Sequence, residues 1–423
     1  MKFLFFLTSL ELGGAERQAI LLAEHLQSEG HNIKVWGLGK PGKVSSLCDE
    51  KKINWELKHF WLEGNIFKEV DGLLKMARDI RKFYPDIIIP YCTTPSLLCA
   101  LSWRFTRTRV CLWGERDIGL ARGFHKEYPF AMTLSTCVVT NSKEGENFIK
   151  NEYGSNLDVR VIYNGVHASL AKETRDTWRK QLGAGETSLI VCMVANIHRI
   201  KNHSLLIEAW NKALKTSVIP NDSLLVFAGR EDDAESLKCQ IINYGIQDKI
   251  NFLGQVDDIS GLLSAVDIGV LSSFSESQPN AILEYMYAGL PVIASDLPGI
   301  REILQDTDSC FFKTDSVEEL IEALVQMSST ARRQRAGLRN AEICRQKYSP
   351  ERMFAEYKAL FDELSNKKKP KIPLNIVVSI FLWFSKRIIF NFYTAKRLYW
   401  ILNRFRNDGV IVAGKYYINK LKH

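Results

Sequence analysis

Residues Asp267-Ile-Gly-Val-Leu-Ser-Ser-Phe-Ser-Glu276-Ser-Gln-Pro279-Asn280-Ala281-Ile-Leu-Glu284 pass from a short apolar run through a polar loop into a helix start. The apolar run reads as a buried strand. Pro279 suits the first helical position, where its missing N–H costs nothing. Asn280 and Ala281 then fall in the first turn, whose backbone N–H groups have no earlier carbonyl to bond. Such a turn attracts anions, phosphate above all. Glu276 lies in the loop before the helix, and Glu284 about 6 Å along it from Asn280 at 1.5 Å rise per residue. A phosphate at the turn would have a carboxylate on each side, and carboxylates accept hydrogen bonds from hydroxyls. A ligand with a sugar at each end and phosphate between them matches, and that describes a nucleotide sugar. Two glutamates eight residues apart are also common on surface helices, so the pair takes its meaning from its surroundings.

Those surroundings alternate strands with helices. Strand-like runs cover Lys2–Thr8, Ile33–Leu38, Ile87–Pro90, Arg109–Trp113, Cys137–Asn141, Ser188–Ala195, Leu224–Ala228, Ile250–Phe252, Ile268–Leu271 and Pro291–Ala294. Amphipathic helical stretches such as Glu16–Gly30, Val70–Phe83 and His203–Lys215 lie between them. The alternation predicts βαβ units and parallel sheets. About five strands fall on each side of a polar gap at residues 164–187, which holds the turn signal Asn164-Gly165. The predicted architecture is therefore α/β, with two Rossmann-like domains facing each other across a cleft and ligands at the C-terminal ends of the strands. The expected divisions are 1–165, 166–349, a terminal helix at 350–366 and a tail at 367–423.

The chain has 423 residues, too many for one ordinary core. Its nine cysteines, at 48, 92, 99, 111, 137, 192, 239, 310 and 344, form no close pair, so they read as reduced core residues rather than ligands or disulfides. The N-terminal Met1-Lys-Phe-Leu-Phe-Phe-Leu has too short an apolar run for a signal peptide and reads as a first buried strand. The net charge is +8, but residues 367–423 hold thirteen Lys or Arg against one acidic residue, leaving residues 1–366 at a net −4. The body thus gives no reason to expect nucleic-acid binding.

Further motifs follow strands. The first strand leads into Ser9-Leu-Glu-Leu-Gly13-Gly14-Ala-Glu16-Arg-Gln18, where paired glycines let a ligand approach the backbone. The spacing is not G-x-G-x-x-G, which weakens a dinucleotide alternative. Val194-Ala-Asn196-Ile-His-Arg199-Ile-Lys201 offers cations to a leaving diphosphate that gains negative charge. Phe227-Ala-Gly229-Arg230 and Phe252-Leu-Gly254-Gln-Val256 close two more strands. Asp306-Thr-Asp308 is a literal D-x-D, but its flanks suggest a surface loop, so no metal site is expected.

With Gly289-Leu-Pro-Val-Ile and Leu297-Pro-Gly-Ile-Arg following Glu284, the sequence resembles the donor site of the family-4 retaining glycosyltransferases of the GT-B fold. The resemblance runs through most of residues 1–365. It implies that Glu276 holds sugar hydroxyls and that Glu284 grips the ribose. It also implies that Lys201 faces the diphosphate, with Arg199 supplying charge where the family has an arginine and this chain has Asn196. The donor would further meet Asn280, Ala281, Gly229 and Arg230, with Gly254 and Val256 near the base and Gly13 and Gly14 opposite the phosphates. A histidine common in the family is missing from Val110-Cys-Leu-Trp-Gly-Glu-Arg116-Asp117. Arg116 or Asp117 would face the sugar or the acceptor there, with His125 a weaker substitute. The terminal helix would cross back to the first domain. No cofactor or metal is expected beyond the nucleotide-sugar donor.

In the tail, the apolar run from Ile372 to Ser385 is about 14 residues, short of the ~20 that span a bilayer. Aromatic clusters interrupted by Lys386-Arg387, Lys396-Arg397 and Arg404-Phe-Arg406 suit helices lying on an anionic membrane. Packing on the body, or RNA binding, are the alternatives. The sequence thus points to a cytoplasmic transferase, peripheral on the inner face of the membrane. It would move a sugar with retention to a saccharide or lipid-linked acceptor in surface polysaccharide or lipopolysaccharide synthesis. An epimerase of the same shape and a non-catalytic binding subunit are the rival readings.

Overall fold

A computed structural model of the chain describes residues 1–60, 66–116, 128–166 and 169–367. Among these residues two parallel sheets are formed. The first holds β1 (Lys2–Leu7), β2 (Asn32–Leu38), β3 (Asn54–Lys58), β4 (Ile87–Pro90), β5 (Val110–Glu115), β6 (Cys137–Thr140) and β7 (Val159–Val161), in the order β3-β2-β1-β4-β5-β6-β7. The second holds β8 (Ile190–Val194), β9 (Leu224–Ala228), β10 (Ile250–Phe252), β11 (Ile268–Leu271), β12 (Val292–Ser295) and β13 (Cys310–Phe312), in the order β10-β9-β8-β11-β12-β13.

The strands are apolar because helices cover both faces of each sheet. In β1, Phe3, Phe5 and Leu7 enter one core while Leu4 and Phe6 enter the other, as a period of two requires. The three strands that the sequence reading missed, β3, β7 and β13, are all at sheet edges. An edge strand has one hydrogen-bonded neighbour and needs no continuous apolar run. The sequence Asn-Trp-Glu-Leu-Lys of β3 shows this. So the sheets have seven and six strands, not about five each. The gap at 164–187 also contains a short helix, Arg175–Gln181.

Both sheets reverse direction beside their first strand, between β1 and β4 and between β8 and β11. At such switch points neighbouring connections leave on opposite faces and open a crevice at the C-terminal strand ends. The loops that follow β1, β8 and β11 carry Gly13-Gly14, Asn196 to Lys201, and Ser272 to Glu276. Topology alone therefore gathers these motifs.

The chain crosses between domains twice, and the crossings touch. The Val166 N–H donates to the Tyr348 carbonyl at 2.9 Å. A Cβ at Gly165 would lie 2.7 Å from the Pro350 Cα, so only glycine fits. The helix Pro350–Asn366 then packs on the first domain, burying Met353, Tyr357, Leu360, Phe361 and Leu364. The Phe361 ring lies 5.2 Å from that of Phe3, tilted by 52°, and Phe361 is 3 % exposed.

Seven of the nine cysteines are buried, as expected of core residues, but Cys239 is exposed and Cys92 half-buried. Residues 368–423, and with them nearly all of the basic tail, lie outside the described residues, as do Asp117 and His125. No described helix is long and apolar enough to cross a membrane.

The returning helix should act as a structural part of the first domain. Phe361→Ala is expected to cost about 3–5 kcal/mol. Urea denaturation followed by tryptophan fluorescence should show the loss as an earlier transition of the first domain.

Candidate active site

The helix that opens the site runs from Asn280 to Tyr287. Pro279 is its cap, with φ −72° and ψ 122°, and not its first helical residue as the sequence suggested. The extended ψ of Pro279 delays the helix by one position. Asn280 thereby becomes the first helical residue and sends its side chain across the cleft. Its Nδ2 donates to the Gly14 carbonyl at 2.9 Å, and its Oδ1 accepts from Asn164 Nδ2 at 2.9 Å and Gln18 Nε2 at 3.4 Å. The eight-residue helix leaves its first backbone N–H groups facing a cleft of 320 Å³ between the domains.

Glu276 sits at the mouth of that cleft, its side chain 10 % exposed. Its Oε1 accepts from Lys201 Nζ at 2.5 Å and from Ser273 Oγ at 2.6 Å. Lys201 closes a single tight turn, Arg199–Lys201, after β8. The loop before Glu276 is strapped to this turn. Phe274 N–H donates to the Ile200 carbonyl at 2.8 Å, and Ser272 Oγ donates to the carbonyls of Lys201 and Asn202. A cation and a carboxylate are thus fixed beside the helix start.

Glu284 lines the other end of the cleft. Arg17, on the first helix of the first domain, donates to its Oε1 from Nη1 at 2.9 Å. Burial pushes the Glu284 carboxyl above the ordinary carboxylate value, and Arg17 only partly offsets this.

Gly229 has φ +157°, and a Cβ there would stand 2.1 Å from the Ala195 carbonyl oxygen. Only glycine allows β9 to close on the β8 loop. Asn196 explains the departure from the family arginine. Its Oδ1 accepts from the Arg230 N–H at 3.0 Å, so it braces the neighbouring loop and carries no charge toward the ligand.

Of the residues singled out from sequence, Gly13, Gly14, Arg116, Asn196, Lys201, Gly229, Val256, Glu276, Asn280, Ala281 and Glu284 line this one cleft. Three do not. Arg199 is exposed and lines neither this cleft nor the second cavity beside it, so Lys201 is the cation that the turn presents. Arg230 borders the second cavity and reaches toward Asp232 and the Leu12 carbonyl, each at 3.4 Å. Gly254 stands behind Gly229, whose N–H donates to its carbonyl at 2.8 Å.

Several lining residues were not singled out. Arg17 and Gln18 follow Gly14 by one helical turn and share its face. Asn141 and Asn164 follow β6 and β7, and a polar residue just past a strand end was the available signal. Ser277 and Gln278 stood in the quoted motif but had no distinctive chemistry. Ser277 Oγ donates to Asn141 Oδ1 at 2.6 Å and lies 2.8 Å from Ser142 Oγ. Asp306 and Asp308 are exposed and paired with Lys347 and Arg335, at 2.7 and 3.1 Å.

Two parallel-sheet domains with facing strand ends, a cleft between them and a helix start flanked by carboxylates define a GT-B glycosyltransferase. Two family profiles match the chain, Glycosyltransferase Family 4 over residues 12–170 and Glycosyl transferases group 1 over residues 174–342. The chain belongs to the family-4 glycosyltransferases and is an enzyme of that class. It is 29 % identical over 334 residues to the Escherichia coli UDP-Gal:alpha-D-GlcNAc-diphosphoundecaprenol alpha-1,3-galactosyltransferase, covering 75 % of this chain and 85 % of the relative. It is 25 % identical over 381 residues to the Bacillus anthracis N-acetyl-alpha-D-glucosaminyl L-malate synthase, covering 85 % of this chain and 97 % of the relative. The fold superposes on Anabaena HepE in complex with UDP and glucose with a TM-score of 0.76, at 20 % identity, over 86 % of this chain and 100 % of that one.

The raised carboxyl pKa of Glu284 fixes a sign. Its contribution to stability is fully present below the unfolded carboxylate pKa and is lost as pH rises through the folded value. In Glu284→Gln that pH-dependent loss should vanish. Melting curves of the unliganded variant and wild type should diverge as pH rises, with the variant relatively more stable at neutral pH.

Proposed function

We propose that the enzyme transfers a sugar, with retention at the anomeric carbon, from a nucleoside-diphosphate sugar to a saccharide or lipid-linked acceptor in bacterial surface polysaccharide or lipopolysaccharide synthesis. The observation that carries this reading is the Lys201–Glu276 pair beside the Asn280 helix start, with Glu284 one full turn further on.

In this reading the diphosphate rests on the backbone N–H groups of Asn280 and Ala281, with Lys201 at its side. The ribose hydroxyls bond to Glu284, which exchanges Arg17 for the nucleotide. Glu276 accepts from hydroxyls of the transferred sugar, held in place by Ser273 and Lys201. Its carboxylate orients the sugar and is not assigned as a nucleophile. The bond from the anomeric carbon to the diphosphate oxygen breaks, and the acceptor hydroxyl oxygen bonds to that carbon from the same face. The acceptor's proton passes to the departing diphosphate. Lys201 and the helix N-terminus stabilise the charge that gathers there, so the step needs no metal.

Of the relatives named above, the galactosyltransferase supports the acceptor class, since its acceptor is a diphosphoundecaprenol-linked sugar. The basic tail at 367–423 supplies the attraction to an anionic membrane surface that such an acceptor calls for.

A screen of uridine- and guanosine-diphosphate sugars for hydrolysis and transfer tests the reading, with chelator present throughout. Turnover of one donor is expected with chelator, and an isomerised donor recovered from enzyme alone would instead indicate an epimerase. Lys201→Met should lower kcat by about 10²–10³-fold, since it removes a group that acts on the developing charge. Truncation after residue 366 should release the protein from anionic vesicles at low salt. Equal binding by the truncated and full-length chains would refute the membrane role of the tail.

A further inference from the structure

β8 and β11 are neighbours, yet they pair only through Val191 with Ile268 and Cys192 with Gly269. Each strand then continues along its other neighbour, β8 as far as Val194 beside Ala228 and β11 as far as Leu271 beside Ala294. The ladder between them is therefore cut short beneath the cleft, which Val194 and Leu271 line.

The alternation of the strands shows which bond is missing. The Ala195 N–H donates to the Ala228 carbonyl of β9, and the Gly269 N–H to the Pro291 carbonyl ahead of β12. Successive N–H groups leave a strand on opposite sides, so the Val194 N–H faces β11. Carried on in the same register, the ladder would have the Val194 N–H donate directly to the Val270 carbonyl. The Tyr285 phenol stands in that place. Its Oη accepts from the Val194 N–H at 2.6 Å and donates to the Val270 carbonyl at 3.3 Å. One oxygen atom thus separates two groups that a direct bond would hold at about 2.9 Å.

The place is shaped for this ring. Tyr285 is fully buried, and a Cβ on Gly269 would stand 2.4 Å from its ring, so the strand beneath it carries glycine. Burial pushes the phenol well above its ordinary pKa, and it keeps the proton that it gives to Val270.

The three elements that meet at this hydroxyl carry the site. β8 leads to the Lys201 turn, β11 leads to the Glu276 loop, and Tyr285 follows Glu284 on the Asn280 helix. Without the oxygen, the Val194 N–H and the Val270 carbonyl lose their partner inside the core, which is costly. The two strands recover a bond only by closing on each other, and closure shifts the Lys201 turn and the Glu276 loop with them.

We propose that Tyr285 is a positioning residue for sugar transfer. Its hydroxyl holds β8 and β11 apart under the cleft, and so sets where Lys201 and Glu276 stand against the diphosphate and the transferred sugar. The inference rests on the reading of the cleft as a nucleotide-sugar site. Tyr285 is buried beneath that cleft and acts through the Lys201–Glu276 pair.

The test measures initial rates of the full-length protein with the uridine- or guanosine-diphosphate sugar that the wild type turns over. Tyr285→Phe keeps the ring and removes the oxygen. It should lower kcat by about 10–100-fold, since about 1 Å of misplacement has an effect of this size, and change the donor KM by less than about 3-fold. A double-mutant cycle separates positioning from support of the fold. In a Lys201→Met background, Tyr285→Phe should lower kcat by no more than about 3-fold, because the group it positions is gone. A tyrosine that only supports the fold would exert its full effect in both backgrounds. Gly269→Ala crowds the ring from the strand side and should lower kcat in the same way. It stands as the second variant should melting curves show Tyr285→Phe unfolded at the assay temperature. Unchanged kcat in folded Tyr285→Phe overturns the proposal, as does an undiminished effect in the Lys201→Met background. If no donor is turned over, or Lys201→Met leaves kcat at the wild-type value, the reading of the cleft itself has failed, and this inference falls with it.

Discussion

The side chain of Asn280 joins the two halves of the molecule. It donates once, to the Gly14 carbonyl, and accepts twice, from Asn164 and Gln18. The same residue begins the helix whose backbone N–H groups face the cleft. Closure of the domains and presentation of the helix start are therefore set by one residue. Around it, Ser277 with Asn141 and Ser142, and Gln278 with Asn164, extend the seam. Buried polar networks of this kind tolerate few arrangements, because each unpaired member is expensive. The seam thus specifies how the two domains face each other as well as holding them together.

What each domain brings to the seam follows from sheet topology. Two parallel sheets that reverse beside their central strands each leave a crevice at the C-terminal strand ends, and the facing crevices make one cleft. The loops after β8 and β11 are then cross-strapped through Ser272 and Phe274, so that Lys201 and Glu276 meet with little freedom. Two carboxylates stand along the cleft, each matched to a cation from a different element. The Lys201–Glu276 pair lies within the second domain, while the Arg17–Glu284 pair spans the two. The first is strapped within one domain, and the second depends on how the two domains face each other.

Much of this was legible in the sequence, for identifiable reasons. Strands buried on both faces announce themselves as apolar runs, and Ile87–Pro90, Leu224–Ala228 and Ile268–Leu271 were read with their observed limits. Of the four edge strands only β10 was read, because β3, β7 and β13 need only one covered side. Glu276, Glu284 and Lys201 were legible because they stand in motifs whose order along the chain resembles a known donor site, whereas each charge alone would pass for a solvated surface residue. Arg199 misled because its charge matched the expected chemistry, whereas the direction of a side chain in a tight turn depends on backbone angles. Arg17, Asn141 and Asn164 were hidden for the opposite reason. Their roles exist only between domains, and a single chain read in order gives no sign of which distant residues will meet.

The two chain crossings, at Gly165 and Pro350, lie in van der Waals contact. Both covalent tethers between the lobes thus emerge at one edge, and this restricts large relative motion to a swing about a line through that edge. Among the described residues no other crossing joins the lobes. A ligand longer than the cleft can enter sideways at the opposite edge and trail outward. It never has to be threaded through a closed ring of protein.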